Sequence, residues 1–424
     1  MMTNKRILVL NCGSSSLKFR LFDVPAVKAG RALQAGRAVT QGAVKGIGGT
    51  ATLEISGREP RTVRPDSEIR DHAQALRWVF EHLSGNRAAH PDGDPLGAVQ
   101  AVGHRVVHGG DRFTESVVIT EAVEKELDAL IELAPLHNPA CLAGIRGARA
   151  VLGSTVPMVA VFDTGFHRSL PDVARLYALP LELAERHRIR RYGFHGIAHA
   201  SLAAGYAAHT GRPLDQVRLI TLQLGNGCSI TAIERGRSVD TSMGFTPLEG
   251  LVMGTRSGDV DPAVVSYLAE RERVPASDVE HWLNERSGLL GLSGRTNDMR
   301  ELLRAASEER DSRAQLAIDL FCYRARKYLG AYLAALGGAD AIVFGGGIGE
   351  AAPVIRARIC DGMAWCGLRL DPGRNDAAVG LEPGRAARIS ADGARPEAYV
   401  VAADEETWIA RETVRALGRL GIPG

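Results

Sequence analysis

The sequence predicts an α/β protein with two domains. Short continuous apolar runs, which are typical of strands buried on both faces, occur at 7–10, 158–162, 218–224 and 341–344. Helical patterns lie between these runs, and the longest extends from about Arg313 to Leu336 before Gly337 and Gly338. At 424 residues the chain is too long for one small core, so two domains are expected.

Composition excludes several classes of protein. A net charge of +2 gives the chain no general attraction for nucleic acid. The six cysteines form no CxxC pair and no zinc spacing, so free thiols in a reducing cytoplasm are expected. The apolar run after Lys5-Arg6 stops at Asn11, which is too short for a signal peptide, and nothing resembles a membrane span. We therefore expect a cytoplasmic protein without nucleic-acid or membrane partners.

The first ordered stretch consists of two strands around the turn 11–16, Asn-Cys-Gly-Ser-Ser-Ser. Its hydroxyl and N–H groups could cradle phosphate oxygens, and Lys18 adds positive charge just beyond it. The spacing is not that of a Walker A loop, and an ordinary hairpin turn is the alternative. A second strand–turn–strand pattern at 218–233 indicates an internal duplication, although chance similarity of two hairpins would look the same.

Further turns with polar side chains follow the other predicted strands. Asp163 comes directly after a buried strand, where α/β proteins place their chemistry, but it could also be a strand-end cap. The glycine-rich stretch 240–259 has too few periodic apolar positions to form a helix or strand, so we expect a functional loop. Adjacent glycines at 345–347 would let a ligand approach the backbone closely. Residues 371–397 are predicted to be irregular, and Tyr399–Val401 is the last predicted strand.

These motifs together resemble the acetate kinase family, within the sugar kinase, actin and heat-shock ATPase superfamily. The resemblance extends from Asn11 to Glu412 through LNCGSSSLKF, HRVVHGG, LAPLHNP, FDTGFH, RYGFHG, LGNG and GGGIGE. It implies two duplicated ribonuclease-H-like domains with the active site in the cleft between them. These would be an N-terminal domain of residues 1–162 plus 407–424, and a nucleotide-binding and dimerisation domain of residues 163–406. It also implies reversible ATP-dependent phosphorylation of acetate to acetyl phosphate with Mg²⁺ or Mn²⁺, in a cytoplasmic homodimer.

The resemblance also implies roles for residues that match the family motifs. The matching catalytic residues are Arg105, His137, Asp163, His195 and Arg256. Those matching the metal-associated positions are Asn11 and Glu405. The acetate site would be formed by Arg105, Val107, Leu136, Phe194 and Pro247. Nucleotide contacts would come from Lys18, Gln223, Leu224, Gly225, Asn226, Gly227, Asp298, Met299, Arg300, Gly345, Gly346, Gly347, Ile348 and Gly349.

The sequence departs from the family pattern in two places, at Gln223, where His is usual, and at Ala402-Ala403-Asp404, where Pro-Thr-Asn is usual. The first departure puts one phosphate contact in doubt, while the second leaves Glu405 intact. The apolar pocket residues could equally be plain core. A kinase for propionate or another short carboxylate is an alternative function, and an ATP-gated protein-binding module is a third.

The chemistry itself limits what the site must supply. A carboxylate substrate with a pKa near ~4.3 is already ionised at pH 7, so the forward step needs no strong base. The difficulty is to bring two anions together, which arginines, His195, Lys18 and a divalent cation could offset. We therefore expect Asp163 to orient an arginine, a water or the metal shell rather than to move a proton.

Overall fold

The chain divides into two compact units. The computed structural model describes residues 5–24, 37–56, 60–84, 99–135 and 137–420. Unit 1 comprises residues 1–165 together with 405–424, and unit 2 comprises residues 166–404. Leu136, which was predicted to line the acetate site, lies outside the described residues. The assignment of nucleotide binding and dimerisation to the second domain stays a prediction.

Unit 1 is built on a mixed sheet of eight strands. The strands are β1 (Lys5–Gly13), β2 (Ser16–Val24), β3 (Arg37–Lys45), β4 (Thr52–Ser56), β5 (Arg61–Val63), β6 (Val99–Val106), β7 (Val117–Val118) and β8 (Met158–Phe162), in the spatial order β5-β4-β3-β2-β1-β6-β8-β7. In the described ranges, the α-helices that precede β8 are α1 (His72–Ser84), α2 (Glu121–Ala129) and α3 (Asn138–Leu152). The 24–65 region, where the sequence gives only weak strand signals, supplies β3, β4 and β5.

Unit 2 contains a six-stranded sheet and most of the helices. Its first helices are α4 (Asp172–Arg175), α5 (Leu181–Arg186) and α6 (Gly196–Thr210), and its first strands are β9 (Arg218–Leu224), β10 (Cys228–Glu234) and β11 (Arg237–Thr241). There follow α7 (Ala263–Glu272), α8 (Ala276–Glu285), α9 (Gly288–Ser293), α10 (Met299–Glu308) and α11 (Ser312–Leu336). The unit ends with β12 (Ala341–Gly345), α12 (Gly346–Ala351), α13 (Pro353–Cys360), α14 (Pro372–Ala377), β13 (Ala386–Arg388) and β14 (Glu397–Val401). The closing helix, α15 (Glu405–Arg419), belongs to unit 1.

The two sheets share one topology. In unit 1, β1 pairs antiparallel with β2 and parallel with β6, β2 pairs antiparallel with β3, and β6 pairs parallel with β8. In unit 2, β9, β10, β11, β12 and β14 repeat these pairings in the same order. When the five shared strands are numbered in chain order, both sheets have the spatial order 3-2-1-4-5. A chance similarity of two hairpins would not extend to five strands, so this order supports the predicted duplication.

Local sequence explains where the main elements begin and end. The central strands are the apolar runs, and Leu8 and Ile342 are fully buried. Helix α2 begins after Thr120, whose hydroxyl accepts a hydrogen bond from the Val123 N–H at 3.3 Å. Helix α11 begins after Asp311, which caps two backbone N–H groups, and ends at Gly337 in the left-handed conformation, with φ at 63°.

The prediction that 371–397 is irregular is wrong. Asp371 accepts a hydrogen bond from the Arg374 N–H at 2.9 Å and so caps α14, which has Pro372 in its first turn. Strand β13 then pairs with β14 at the edge of the sheet. Both elements are short and depend on partners elsewhere in the chain, so hydrophobic periodicity gives little sign of them.

Helix α15 packs on the sheet of unit 1 and is amphipathic. Its inner face buries Ile409, Ala410, Thr413, Val414, Ala416 and Leu417. Gly103 on β6 permits this close approach, because a Cβ there would lie 2.3 Å from the Thr413 hydroxyl. Among the helices in the described ranges, none has the length and hydrophobicity to cross a membrane.

Candidate active site

Three predicted site residues of unit 1 lie together because of strand register. Arg105 on β6 pairs with Val161 on β8, and the preceding His104 pairs with Leu10 on β1. Side chains alternate between the faces of a sheet, so Asn11, Arg105 and Asp163 point to the same face at neighbouring strand ends. The parallel strands β1, β6 and β8 thus deliver an amide, a guanidinium and a carboxylate to one place.

Arg105 is the centre of this group. Its Nε and Nη2 donate to Asp163 Oδ2 at 3.1 and 2.5 Å, and its Nη1 donates to Asn11 Oδ1 at 3.1 Å. The Asp163 side chain is only 2% exposed, whereas that of Arg105 is 22% exposed. Burial alone would lower the pKa of Arg105, but the charges of Asp163 and Glu405 raise it above its ordinary value. Asp163 thus forms an ion pair with a charged Arg105, and its role in orienting that arginine for the reaction stays a prediction.

Glu405, the first residue of α15, adds a second carboxylate near Arg105. Burial raises the pKa of Glu405 to about 7; Arg105 opposes this shift and the charge of Asp163 adds to it. In the part of the chain that the structure describes, no three His, Cys, Asp or Glu side chains form a metal cluster. Mg²⁺ is usually held by one or two carboxylates, retained waters and substrate phosphates. The oxygens of Glu405 and Asn11 fit that kind of site.

The other predicted residues of unit 1 lie at element ends. Lys18 is exposed on β2 opposite Asn11. The strands continue to Gly13 and from Ser16, so the turn between them is a two-residue hairpin, and a phosphate-binding role stays a prediction. His137 precedes α3, and Val107, which is 7% exposed, follows β6.

In unit 2, His195 is held by its backbone and by a chain of hydrogen bonds. It precedes α6 with φ at 57°, in the left-handed region that a residue with a Cβ adopts rarely. Its Nδ1 lies 2.8 Å from Ser229 Oγ, and the same hydroxyl lies 2.8 Å from His199 Nε2. His199 Nδ1 in turn lies 2.7 Å from Thr221 Oγ1, which fixes both imidazoles against the sheet.

Arg256, in the loop 242–261 between β11 and α7, lies beside His195. A Cβ on Gly227 would lie 3.2 Å from His195 Cε1 and 3.5 Å from Arg256 Nη1, so both side chains border the glycine turn between β9 and β10. Arg256 Nη1 donates to the Pro247 carbonyl at 3.1 Å and contacts Met253 Sδ. Among the described residues no carboxylate accepts a hydrogen bond from its guanidinium, and burial lowers its pKa although the charge of Glu285 opposes this shift. An incompletely compensated guanidinium of this kind is suited to bind an anion.

The predicted nucleotide segments of unit 2 differ in character. Asn226 O accepts from the Gly254 N–H at 2.8 Å, and Asn226 Oδ1 accepts from Asn297 Nδ2 at 2.9 Å, so the glycine turn is tied to the long loop. Asp298 caps α10 and binds Arg300 through both oxygens. Gln223 Oε1 is buried without a hydrogen-bond partner among the described residues.

The glycine segment after β12 is a short helix rather than an open turn. Helix α12 starts at Gly346, whose φ is 76° and whose N–H donates to Glu350 Oε1 at 2.9 Å. The same carboxylate oxygen accepts from the Ala403 N–H at 3.1 Å. A Cβ on Gly347 would meet no atom of the described residues within 4 Å. Close approach of a ligand is therefore sterically open at Gly347.

Several residues that shape these sites were not predicted from the sequence. Ser229 and His199 orient His195, and Glu350 binds the first turn of α12. The only sequence signal for Ser229 is its position at the end of the turn 225–229. His199 is four residues after His195, but His195 precedes α6 with a left-handed backbone, so helical spacing does not account for the Ser229 hydroxyl that the two rings share.

Comparison with known proteins decides the family. A model of the Acetokinase family matches residues 6–411. The chain belongs to the acetokinase family. It is 50% identical to the acetate kinase of Solibacter usitatus (strain Ellin6076), over 98% of this chain and 99% of that protein. The predicted resemblance is thus confirmed.

Solved structures of acetokinase relatives agree with the fold. The crystal structure of Porphyromonas gingivalis acetate kinase matches with a TM-score of 0.86 and 38% identity, covering 97% of this chain and 100% of that chain. The crystal structure of a propionate kinase from Francisella tularensis subsp. tularensis SCHU S4 matches with a TM-score of 0.86 and 37% identity, covering 97% of this chain and 99% of that chain. The predicted α/β class is confirmed.

Proposed function

We propose that this acetokinase-family protein catalyses the reversible MgATP-dependent phosphorylation of acetate to acetyl phosphate, by direct in-line transfer. The observation that carries the proposal is Arg256, a half-buried guanidinium that donates to no carboxylate among the described residues, beside His195 and Gly227. Phosphoryl transfer depends on positioning and on charge stabilisation more than on covalent chemistry. Family membership then identifies the acceptor as a short carboxylate.

The residues would divide the work by charge. Arg105, fixed by Asp163, would bind the acetate carboxylate, which is already anionic at neutral pH. Arg256 and His195 would donate hydrogen bonds to the phosphoryl oxygens as charge redistributes in the transition state. Asp163 accepts two hydrogen bonds from Arg105, so it serves in orientation rather than proton transfer.

Magnesium fits the oxygen atoms of unit 1. Glu405 and Asn11 would hold it, directly or through water, and Mn²⁺ would fit the same donors. When bound, the cation would neutralise charge on the ATP phosphates. The requirement for one metal-side carboxylate is tested by substitution of Glu405 below.

The remaining assignments are also proposals. We propose a cytoplasmic homodimer in which unit 2 supplies the dimer contact and binds ATP or ADP. Large apolar side chains are exposed on unit 2, with Val173 94% exposed and Trp365 74% exposed, and exposed apolar surface of this kind is suited to a protein contact. Light scattering of the purified protein would test the dimer.

A second candidate, a propionate kinase, is favoured by the Francisella structure. An apolar pocket discriminates one methylene by only ~1–3 kcal/mol, or roughly 10–200-fold, so the two activities should overlap. The test is ATP-dependent formation of acyl phosphate, trapped by hydroxylamine, with carboxylates of one to four carbons. Highest kcat/KM for acetate is expected. Highest kcat/KM for propionate would support the second candidate, and ATP turnover unaffected by any carboxylate would favour the ATP-gated binding module.

A further inference from the structure

The loop that carries Arg256 has no helix or strand to fix it, so something else must set the position of its guanidinium. Residues 242–261 follow β11 and precede α7. The Arg256 side chain itself contacts only a carbonyl and a thioether among the described polar partners. Its placement therefore depends on how the backbone of the loop is closed.

Asp259 closes this loop. Its Oδ1 accepts from the Gly250 N–H at 2.8 Å, and its own N–H donates to the Gly250 carbonyl at 3.1 Å. Residues 250–259 thus form a ring whose two ends are joined by a pair of hydrogen bonds. Gly258, with φ at 70°, makes the closure possible, because a Cβ there would lie 2.5 Å from the Gly250 carbonyl oxygen.

The same carboxylate fastens the ring to the longest helix of unit 2. Asp259 Oδ2 accepts from Arg324 Nη1 at 3.0 Å and from the Tyr328 hydroxyl at 2.9 Å, both on α11. One charged group therefore joins the loop ends to each other and to a rigid element. A charge-assisted bond of this kind is about twice as strong as a neutral one.

The far side of the ring makes further backbone contacts on both sides of Arg256. The Met253 N–H donates to the Arg256 carbonyl at 3.1 Å, and the Ser257 N–H donates to the Leu283 carbonyl at 2.9 Å. Gly288, with φ at 61°, lies so close that a Cβ would be 2.7 Å from the Arg256 carbonyl oxygen. Arg256 is thus held jointly by these contacts and by the closure at Asp259, and opening the ring at Asp259 would remove one of its two supports.

We propose that Asp259 is a positioning residue for phosphoryl transfer, which sets the Arg256 guanidinium by closing the 250–259 ring onto α11. Its carboxylate bonds to Gly250, Arg324 and Tyr328, and none of the described contacts joins it to the Arg256 side chain. Asp259 thus acts through the backbone rather than as a counter-ion. The inference rests on the proposed kinase function.

The test is a double-mutant cycle measured by hydroxamate formation from acetate and ATP. A misplacement of about 1 Å can cost about 100-fold in rate, so Asp259→Ala should lower kcat by roughly that factor and leave the KM for ATP within about threefold. In the Arg256→Ala background, the same substitution should change kcat by less than about threefold, because the group it positions is absent.

Asp261→Ala is the matched control. Asp261 is an exposed acid two residues further on, and it only caps the start of α7 through the Ala263 N–H. It should change kcat less than about threefold in either background. If the fold-losses in kcat of Asp259→Ala and Arg256→Ala multiply in the double variant, Asp259 acts independently of Arg256 and the proposal is overturned.

Tyr328→Phe keeps the proposal testable if Asp259→Ala fails to fold. It removes one hydrogen bond to Asp259, and Tyr323→Phe, on the exposed side of α11, is its control. Tyr328→Phe should lower kcat several-fold in the wild-type background and hardly at all in Arg256→Ala, and an unchanged wild-type kcat would refute the proposal. Absence of hydroxamate with wild-type protein would instead refute the proposed function.

Discussion

Removal of the Arg256 side chain should lower the kinase activity strongly and the stability of the fold only slightly. The guanidinium is partly withdrawn from water, and the only described groups that accept its hydrogen bonds are the Pro247 carbonyl and the Met253 sulfur. Burial lowers its pKa, which means that the folded protein disfavours this charge when no anion is bound. In Arg256→Ala the free energy of unfolding should therefore fall by only about 1 kcal/mol, the value of one hydrogen bond. Removal of the partly desolvated guanidinium offsets part of this loss.

Catalysis should lose far more in the same variant. Loss of one donor to a developing anionic centre typically lowers kcat by about 10²–10³, or ~2.7–4 kcal/mol of transition-state stabilisation. We expect a fall of that size in hydroxamate formation, with a much smaller change in the KM for acetate. The melting temperature should fall by less than about 3 °C.

Arg271→Ala is the control for loss of a positive charge, since Arg271 lies on α7 with its guanidinium over the ring of Tyr267. It should leave kcat unchanged. A kcat for Arg256→Ala within about threefold of wild type would refute the role of Arg256. A fall of about 10 °C in melting temperature would show that the side chain is structural.

Three further predictions concern metal, nucleotide and pH. Glu405→Ala should raise the Mg²⁺ concentration that gives half-maximal activity about tenfold. An unchanged Mg²⁺ titration would mean that Glu405 serves only to start α15. Gln223→His should retain activity above pH 7 and change it mainly below, because only His gains charge there; a large loss at every pH would mean that the surroundings depend on the amide. His104 is 1% exposed, and burial, with a smaller effect of Arg149, lowers its pKa to about 3. Between about pH 6.5 and pH 3 the unfolded chain therefore binds a proton at His104 and the folded protein does not, so the free energy of unfolding falls as pH falls. In thermal melts, the free energy of unfolding of His104→Phe should depend less on pH than that of wild type, by up to ~1.4 kcal/mol per pH unit.

Strand ends were the part of the site that sequence could predict. A short apolar run identifies a buried strand, and the first polar residue after it must lie at the sheet edge, as Asp163 does after β8. The same reasoning places Glu405 at an element end, whereas Asn11, expected in a turn after the apolar run, lies within β1, which continues to Gly13. Their mutual approach needed strand register, which depends on pairing between segments about 100 residues apart and has no local signature.

The contacts that orient the site could not be read from the sequence. Ser229 lies 34 positions from His195, and their hydrogen bond depends on a left-handed backbone at a residue with a Cβ. Asp259 looks like any loop aspartate until its ring partner, Gly250, and the face of α11 are known. Local patterns thus predict which groups are available, whereas long-range packing decides how those groups are held.

Helix α15 has a consequence for the order in which the protein is made. It covers one face of the unit 1 sheet, and Ser116, close to β7, donates to Glu412 on this helix at 3.0 Å. The ribosome makes all of unit 2 before it makes α15. At about 5–20 residues per second, roughly 10 to 50 s pass between the synthesis of the unit 1 strands and that of the helix that covers their apolar face. Unit 2 can therefore complete its fold first, and the sheet made earliest is the one that waits longest for its last helix and for Glu405.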